Sequence, residues 1–90
     1  MKSITIQSYF SIPTDLAAEM RDWPQFITGE GYSVDLRDEI TGGIITVRYI
    51  EKDGDGRVVI SGPSSNLLDR VVGRVVCAMS AHSDNLLVSK

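Results

Sequence analysis

Residues 32–62, YSVDLRDEITGGIITVRYIEKDGDGRVVISG, decide the fold. Runs of alternating apolar and polar side chains are separated here by clusters of turn-forming residues. Tyr32, Val34 and Leu36 share one face, and Ile45, Val47 and Tyr49 share the corresponding face of the next run. A side-chain period of two belongs to strands buried on one side, so the stretch predicts three consecutive antiparallel strands. Charge suggests the register of the first hairpin. A loop over Ile40–Gly43 sets Leu36 opposite Val47, Val34 opposite Tyr49 and, on the other face, Asp35 opposite Arg48. That last pair is a favourable cross-strand contact. A tighter Gly42–Gly43 turn suits hairpin geometry but sets Arg37 against Arg48, so the longer loop is expected. The second hairpin is expected to turn at DGDG, residues 53–56, pairing Tyr49 with Ile60 on the core face and Ile50 with Val59 on the other.

Upstream, SITIQSYFSI (residues 3–12) alternates in the same way. Ile4, Ile6, Phe10 and Ile12 point one way, and Thr5, Gln7 and Tyr9 the other. Pro13 and Thr14 then open a helix whose positive end suits Asp15 and Glu19. Leu16, Met20 and Trp23 form its inward stripe, and Pro24 ends it. Phe26 and Ile27 are expected to tuck back in an irregular turn before Gly29 and Gly31 release the chain. Downstream, SGPSSN leads into a long helix over about residues 65–82, capped by Ser64, Ser65 or Asn66. Leu68, Val71, Val72, Val75, Val76 and Met79 form its apolar stripe. The closing NLLVS reads as a short strand at the sheet edge.

The expected architecture is a single α+β domain over residues 1–90. It is a two-layer sandwich of a mostly antiparallel sheet with two helices on one face, in the order β-α-β-β-β-α with a short C-terminal strand. Double-stranded RNA-binding domains share the order of the helix, three strands and helix, but the basic residues expected at the helix start are not present here.

Composition narrows the function classes. With 42% hydrophobic and 23% charged residues, the chain has the makeup of a folded globular domain. No apolar run approaches the roughly 20 residues that span a bilayer. MKSITIQSYFSI alternates where a signal peptide is continuously apolar, so a cytoplasmic protein is expected. The one cysteine cannot form an intramolecular disulfide. The net charge of −3 and nine scattered Lys and Arg residues argue against phosphate-backbone binding and suit a basic partner better.

No motif with specific chemistry emerges. Cys77 and His82 are five positions apart, about 140° around a helix and out of mutual reach. One Cys and one His do not make a zinc site. EKDGDGRVVISG (residues 51–62) has Gly62 where a calcium loop needs its bidentate Glu. Asp35, Asp38 and Glu39 read as a solvated strand end. No catalytic residue, cofactor or metal ligand is expected.

Two surfaces stand out. On the open sheet face Tyr9, Ile44, Ile50 and Val59 lie among Thr5, Gln7, Asp35, Thr46 and Arg48. On the long helix Asn66, Asp69, Gly73, Cys77 and Ser80 make a stripe of mostly small residues flanked by Arg70 and Arg74. The expected function is non-catalytic protein binding, as in an inhibitor, an immunity-type protein or an accessory subunit. Tyr9, Arg48, Ile50 and Val59, or Arg70, Gly73, Arg74 and Cys77, would make the contacts. The alternative is a homodimeric module that binds a small anion through Ser61, Ser64 and Ser65, since a strand–loop–helix start can hold phosphate.

Overall fold

A computed structural model describes residues 1–8, 15–52, 55–80 and 86–89. Along the chain run β1 (Lys2–Ser8), α1 (Leu16–Met20), β2 (Phe26–Glu30), β3 (Ser33–Arg37), β4 (Ile44–Lys52), β5 (Asp55–Gly62), α2 (Asn66–Ser80) and β6 (Leu86–Ser89). The strands form one six-stranded sheet in the order β2-β3-β4-β5-β1-β6. Every neighbouring pair is antiparallel. The expected final strand is present and pairs with β1.

Alternation places Ile4, Ile6, Val34, Leu36, Ile45, Val47, Val58 and Ile60 on one side of the sheet, all buried. Leu16, Ala17 and Met20 from α1 and Leu68, Val71, Val75 and Met79 from α2 close over them in one core cluster. Both helices therefore cover the same face, as the two-layer reading requires. Phe10, Ile12, Pro13 and Thr14 lie outside the described residues.

The caps explain where the helices begin. The Asp15 carboxylate accepts a hydrogen bond from the Ala18 N–H at 3.0 Å, one turn into α1. The Ser65 hydroxyl does the same for the Leu68 N–H at 3.2 Å, so Ser65 caps α2. Beyond Met20 the chain leaves the helix through successive turns, with Trp23 N–H bonding to Met20 C=O and Phe26 N–H to Trp23 C=O.

Helix α1 ends at Met20, short of Trp23 and of the stop expected at Pro24, and three further expectations need correction. First, Phe26–Glu30 is a strand, where an irregular turn and a Gly-rich release were expected. Its register shifts between Phe26 and Thr28, which breaks the period that marks a strand in sequence. Gly29 pairs with Val34 in this strand, and only glycine fits there because an added Cβ would lie 2.7 Å from the Ser33 carbonyl oxygen.

Second, the β3–β4 register is two residues from the expected one: Val34 faces Val47 and Leu36 faces Ile45. Asp35 is opposite Thr46, and its carboxylate reaches the Arg48 guanidinium diagonally at 2.8 Å. The charge pair thus forms without dictating the register. Extending the observed register brings Tyr32 beside Tyr49, whose rings stack with centroids 4.3 Å apart. The loop is set by Asp38, whose N–H bonds to Gly43 C=O and whose C=O accepts from Gly42 N–H. Gly42 adopts φ 77°, which a side chain would disfavour.

Third, β4 and β5 are also shifted by two: Tyr49 faces Val58, Arg48 faces Val59 and Ile50 faces Arg57. Pairing continues out to Lys52 opposite Asp55, a tighter hairpin than the four-residue turn expected at 53–56. Asp53 and Gly54 lie outside the described residues. A shift of two preserves which face each residue occupies, so the core assignment survives both errors.

Candidate functional site

The sheet face away from the helices is the larger candidate. Across β4, β5, β1 and β6 its residues fall into rows set by the register. One row runs Arg48, Val59, Thr5, Ser89, and the next Ile50, Arg57, Gln7, Leu87. Arg48 and Ile50 are exposed and Val59 is half-buried, so these three expected contacts do share one open surface. Ile50 and Val59 are diagonal neighbours, not the directly opposed pair expected. Each faces a guanidinium, so the centre of the surface alternates apolar and cationic groups. Tyr9, the fourth expected contact, lies outside the described residues.

Arg48 is held in place by its surroundings. Besides the Asp35 ion pair, it donates to the carbonyl oxygens of Val47 at 2.9 Å and Val34 at 3.2 Å. Its side chain is nonetheless 45% exposed. A partner would therefore meet a preset guanidinium, which reduces the ordering cost of contact.

The outer face of α2 presents Gly73 and Cys77, both exposed. An added Cβ on Gly73 would meet nothing within 4 Å, so nothing in the described chain requires glycine there. The two flanking arginines are turned to neighbours within the chain. Arg70 lies over the Trp23 ring, 4.7 Å from its centroid, and Arg74 pairs with Glu19 of α1. Both fasten α2 to the α1 segment, which weakens the idea that they reach for a partner's acids.

The three serines of the alternative reading do not converge. Ser61 is on the open sheet face, where its hydroxyl lies 3.4 Å from that of Ser3. Ser65 is occupied as the α2 cap, and Ser64 is exposed. A cleft of about 480 Å³ does lie beside the start of α2, lined by Ser64, Ser65, Asp38, Glu39, Gln25 and Arg70 among others.

Asp38 departs from the solvated strand end expected of it: it is 3% exposed. Its Oδ1 accepts from the Ile40 N–H at 3.0 Å and the Thr41 N–H at 3.4 Å. The Ser65 hydroxyl holds its carboxyl below the ordinary value, the loop amides add to this, and burial opposes it. The chain's own carboxylate therefore stands beside the Ser65 cap at the positive end of α2. Asp38, not the serines, organises this corner. The sequence signal was an Asp followed by a Thr-Gly-Gly turn, the setting in which an Asp side chain bonds to amides just ahead of it.

Among the described residues no group of three or more His, Cys, Asp or Glu side chains is placed to hold a metal ion. His82 is outside them. No described helix is long and apolar enough to cross a membrane. Comparison of the sequence with protein-family models and with curated proteins gives no match.

Proposed function

We propose that this chain is a small non-catalytic binding domain that docks a protein partner on its open sheet face. Arg48, Ile50 and Val59 are the first contacts, with Arg57 beside them. The observation that carries this reading is the one-sided packing of the helices. They cover one face of the sheet, no described element lies over the other, and Ile50 there is 49% exposed. The cleft of about 480 Å³ lies elsewhere, beside the start of α2. The open face's mixture of apolar groups and a preset arginine is the composition of protein interfaces, where Arg is enriched and total apolar content is unremarkable. An inhibitor, an immunity-type protein or an accessory subunit would each act this way.

The test begins with tagged chain in extract of its native host and identifies the protein retained. Affinity is then measured for Val59→Glu and Ile50→Glu, with Cys77→Arg on α2 as the comparison. Loss of at least tenfold for the sheet variants alone supports the reading. Unchanged affinity for folded Val59→Glu and Ile50→Glu overturns it, and loss confined to Cys77→Arg moves the contact to α2.

A further inference from the structure

The wall of the cleft beside α2 contains two buried acceptor atoms that nothing in the described chain satisfies. Residue 25 is tied to the end of β3, where the Arg37 N–H donates to the Gln25 C=O at 2.8 Å. Gln25 and Asp38 therefore both line the cleft. Asp38 is 3% exposed, and its two oxygens differ. Oδ1 accepts from the Ile40 and Thr41 N–H groups, whereas Oδ2 is buried with no hydrogen-bond partner. The adjacent Ser65 hydroxyl favours the ionised carboxyl but makes no bond to Oδ2. Gln25 Oε1 is the second such acceptor, also buried and without a partner. Buried polar atoms are rarely left in this state, and a buried carboxylate calls for an opposite charge. Among the described residues no Lys or Arg forms an ion pair with Asp38. Arg70 also lines the cleft, but its guanidinium lies over the Trp23 ring.

We propose that this cleft binds a primary ammonium group, which donates to Asp38 Oδ2 and Gln25 Oε1. Both open atoms are acceptors, so the missing partner must be a donor. The unpaired Asp38 carboxylate, with the exposed Glu39 beside it, requires that donor to be a cation. An ammonium is a compact charge with three rotatable donors, which suits single acceptors on separate segments. A guanidinium fits less well, because its fork grips both oxygens of one carboxylate and Oδ1 is already taken by the loop amides. The volume of about 480 Å³ also leaves room for an aliphatic chain behind the charge. A free alkylamine and a lysine side chain of another protein present this same group. The cleft lies on the helix side of the sheet, so its occupancy and docking on the open face stand or fall separately.

The probe is n-butylamine at neutral pH, where it is cationic, followed through the backbone amide resonances of the isotope-labelled chain. Saturable shifts centred on Ile40, Thr41 and Leu68 are expected, with dissociation on the order of 1–10 mM. Butyltrimethylammonium has the charge without the N–H donors and should bind about tenfold more weakly, as should butylamine to Asp38→Asn. Gln25→Met removes Oε1 and keeps the backbone bond to Arg37. It should weaken binding about threefold and serves as the test if Asp38→Asn does not fold. Glu51→Gln, at the far end of β4, should change nothing. A doubly blocked lysine that binds more tightly than butylamine assigns the group to a protein side chain, and one that binds more weakly assigns it to a free amine; either supports the proposal. No saturable shift by about 100 mM, equal binding of the trimethyl analogue, or indifference to the Asp38 and Gln25 variants overturns it. So does inorganic phosphate or calcium ion shifting these amides where butylamine does not.

Discussion

Asp38 shows how one buried carboxylate can organise a corner of a small domain. Its backbone closes the β3–β4 loop, its side chain binds two amides of that loop, and it neighbours the Ser65 cap of α2. Folding lowers its pKa below the ordinary 3.8, so folding favours the ionised form. Its contribution to stability is therefore complete above the ordinary value and is lost as pH falls through the lower folded value. Asp38→Asn should lower the urea midpoint near neutrality, and the gap to wild type should narrow in acid. Urea titrations at neutral pH and well below pH 3.8 check this, and a gap that widens in acid contradicts it. Gly73 offers the opposite kind of change. It lies in the interior of α2, and an added Cβ meets nothing. Gly73→Ala should stabilise the fold by about 1 kcal/mol, raising the melting temperature by roughly 4–8 °C for a domain of this size. Calorimetry decides it, and a fall in melting temperature would contradict the open surroundings assigned to this position.

At the level of elements, the hairpin register shows which interactions prevail. The Asp35–Arg48 ion pair looked decisive in the sequence, yet its side chains are 27% and 45% exposed. Such exposed pairs are worth about 0–1 kcal/mol. The Tyr32–Tyr49 stack and the Asp38 loop bonds are made in the register observed. A double-mutant cycle on Tyr32 and Tyr49 should return a coupling of about 0.5–1.5 kcal/mol, and one on Asp35 and Arg48 no more than about 1 kcal/mol. Coupling near zero for the tyrosines would remove the stack as a determinant of register. The faces of β1, β3, β4 and β5 were legible in advance because parity survives a two-residue slip. β2 was not, since its bulge removes the alternation and leaves only Phe26 and Gly29 to indicate that it packs against β3.

Across the whole molecule, adjacent residues of one strand test the division into inside and outside. Val58 is fully buried beneath the helices, and Val59 lies on the open face. Val58→Glu should cost several kcal/mol by burying an unpaired charge and leave the chain largely unfolded. Val59→Glu should remain folded, as circular dichroism and denaturant titration would report. Equal damage from the two would mean that the second face is covered as well. Of the candidate surfaces, the sequence brought Arg48, Ile50 and Val59 together correctly, because residues of one parity on neighbouring strands must share a face. It could not foresee that Arg70 and Arg74 are taken up by Trp23 and Glu19 of the α1 segment. These partners are more than forty residues away in the chain, and no local pattern encodes their approach. By itself, then, the sequence determined the two layers and the core-facing side of each main strand, since hydrophobic periodicity is local. Tertiary structure alone decided the register, the edge strand β2, the burial of Asp38 and the exposure of β6, because these depend on contacts between segments distant along the chain.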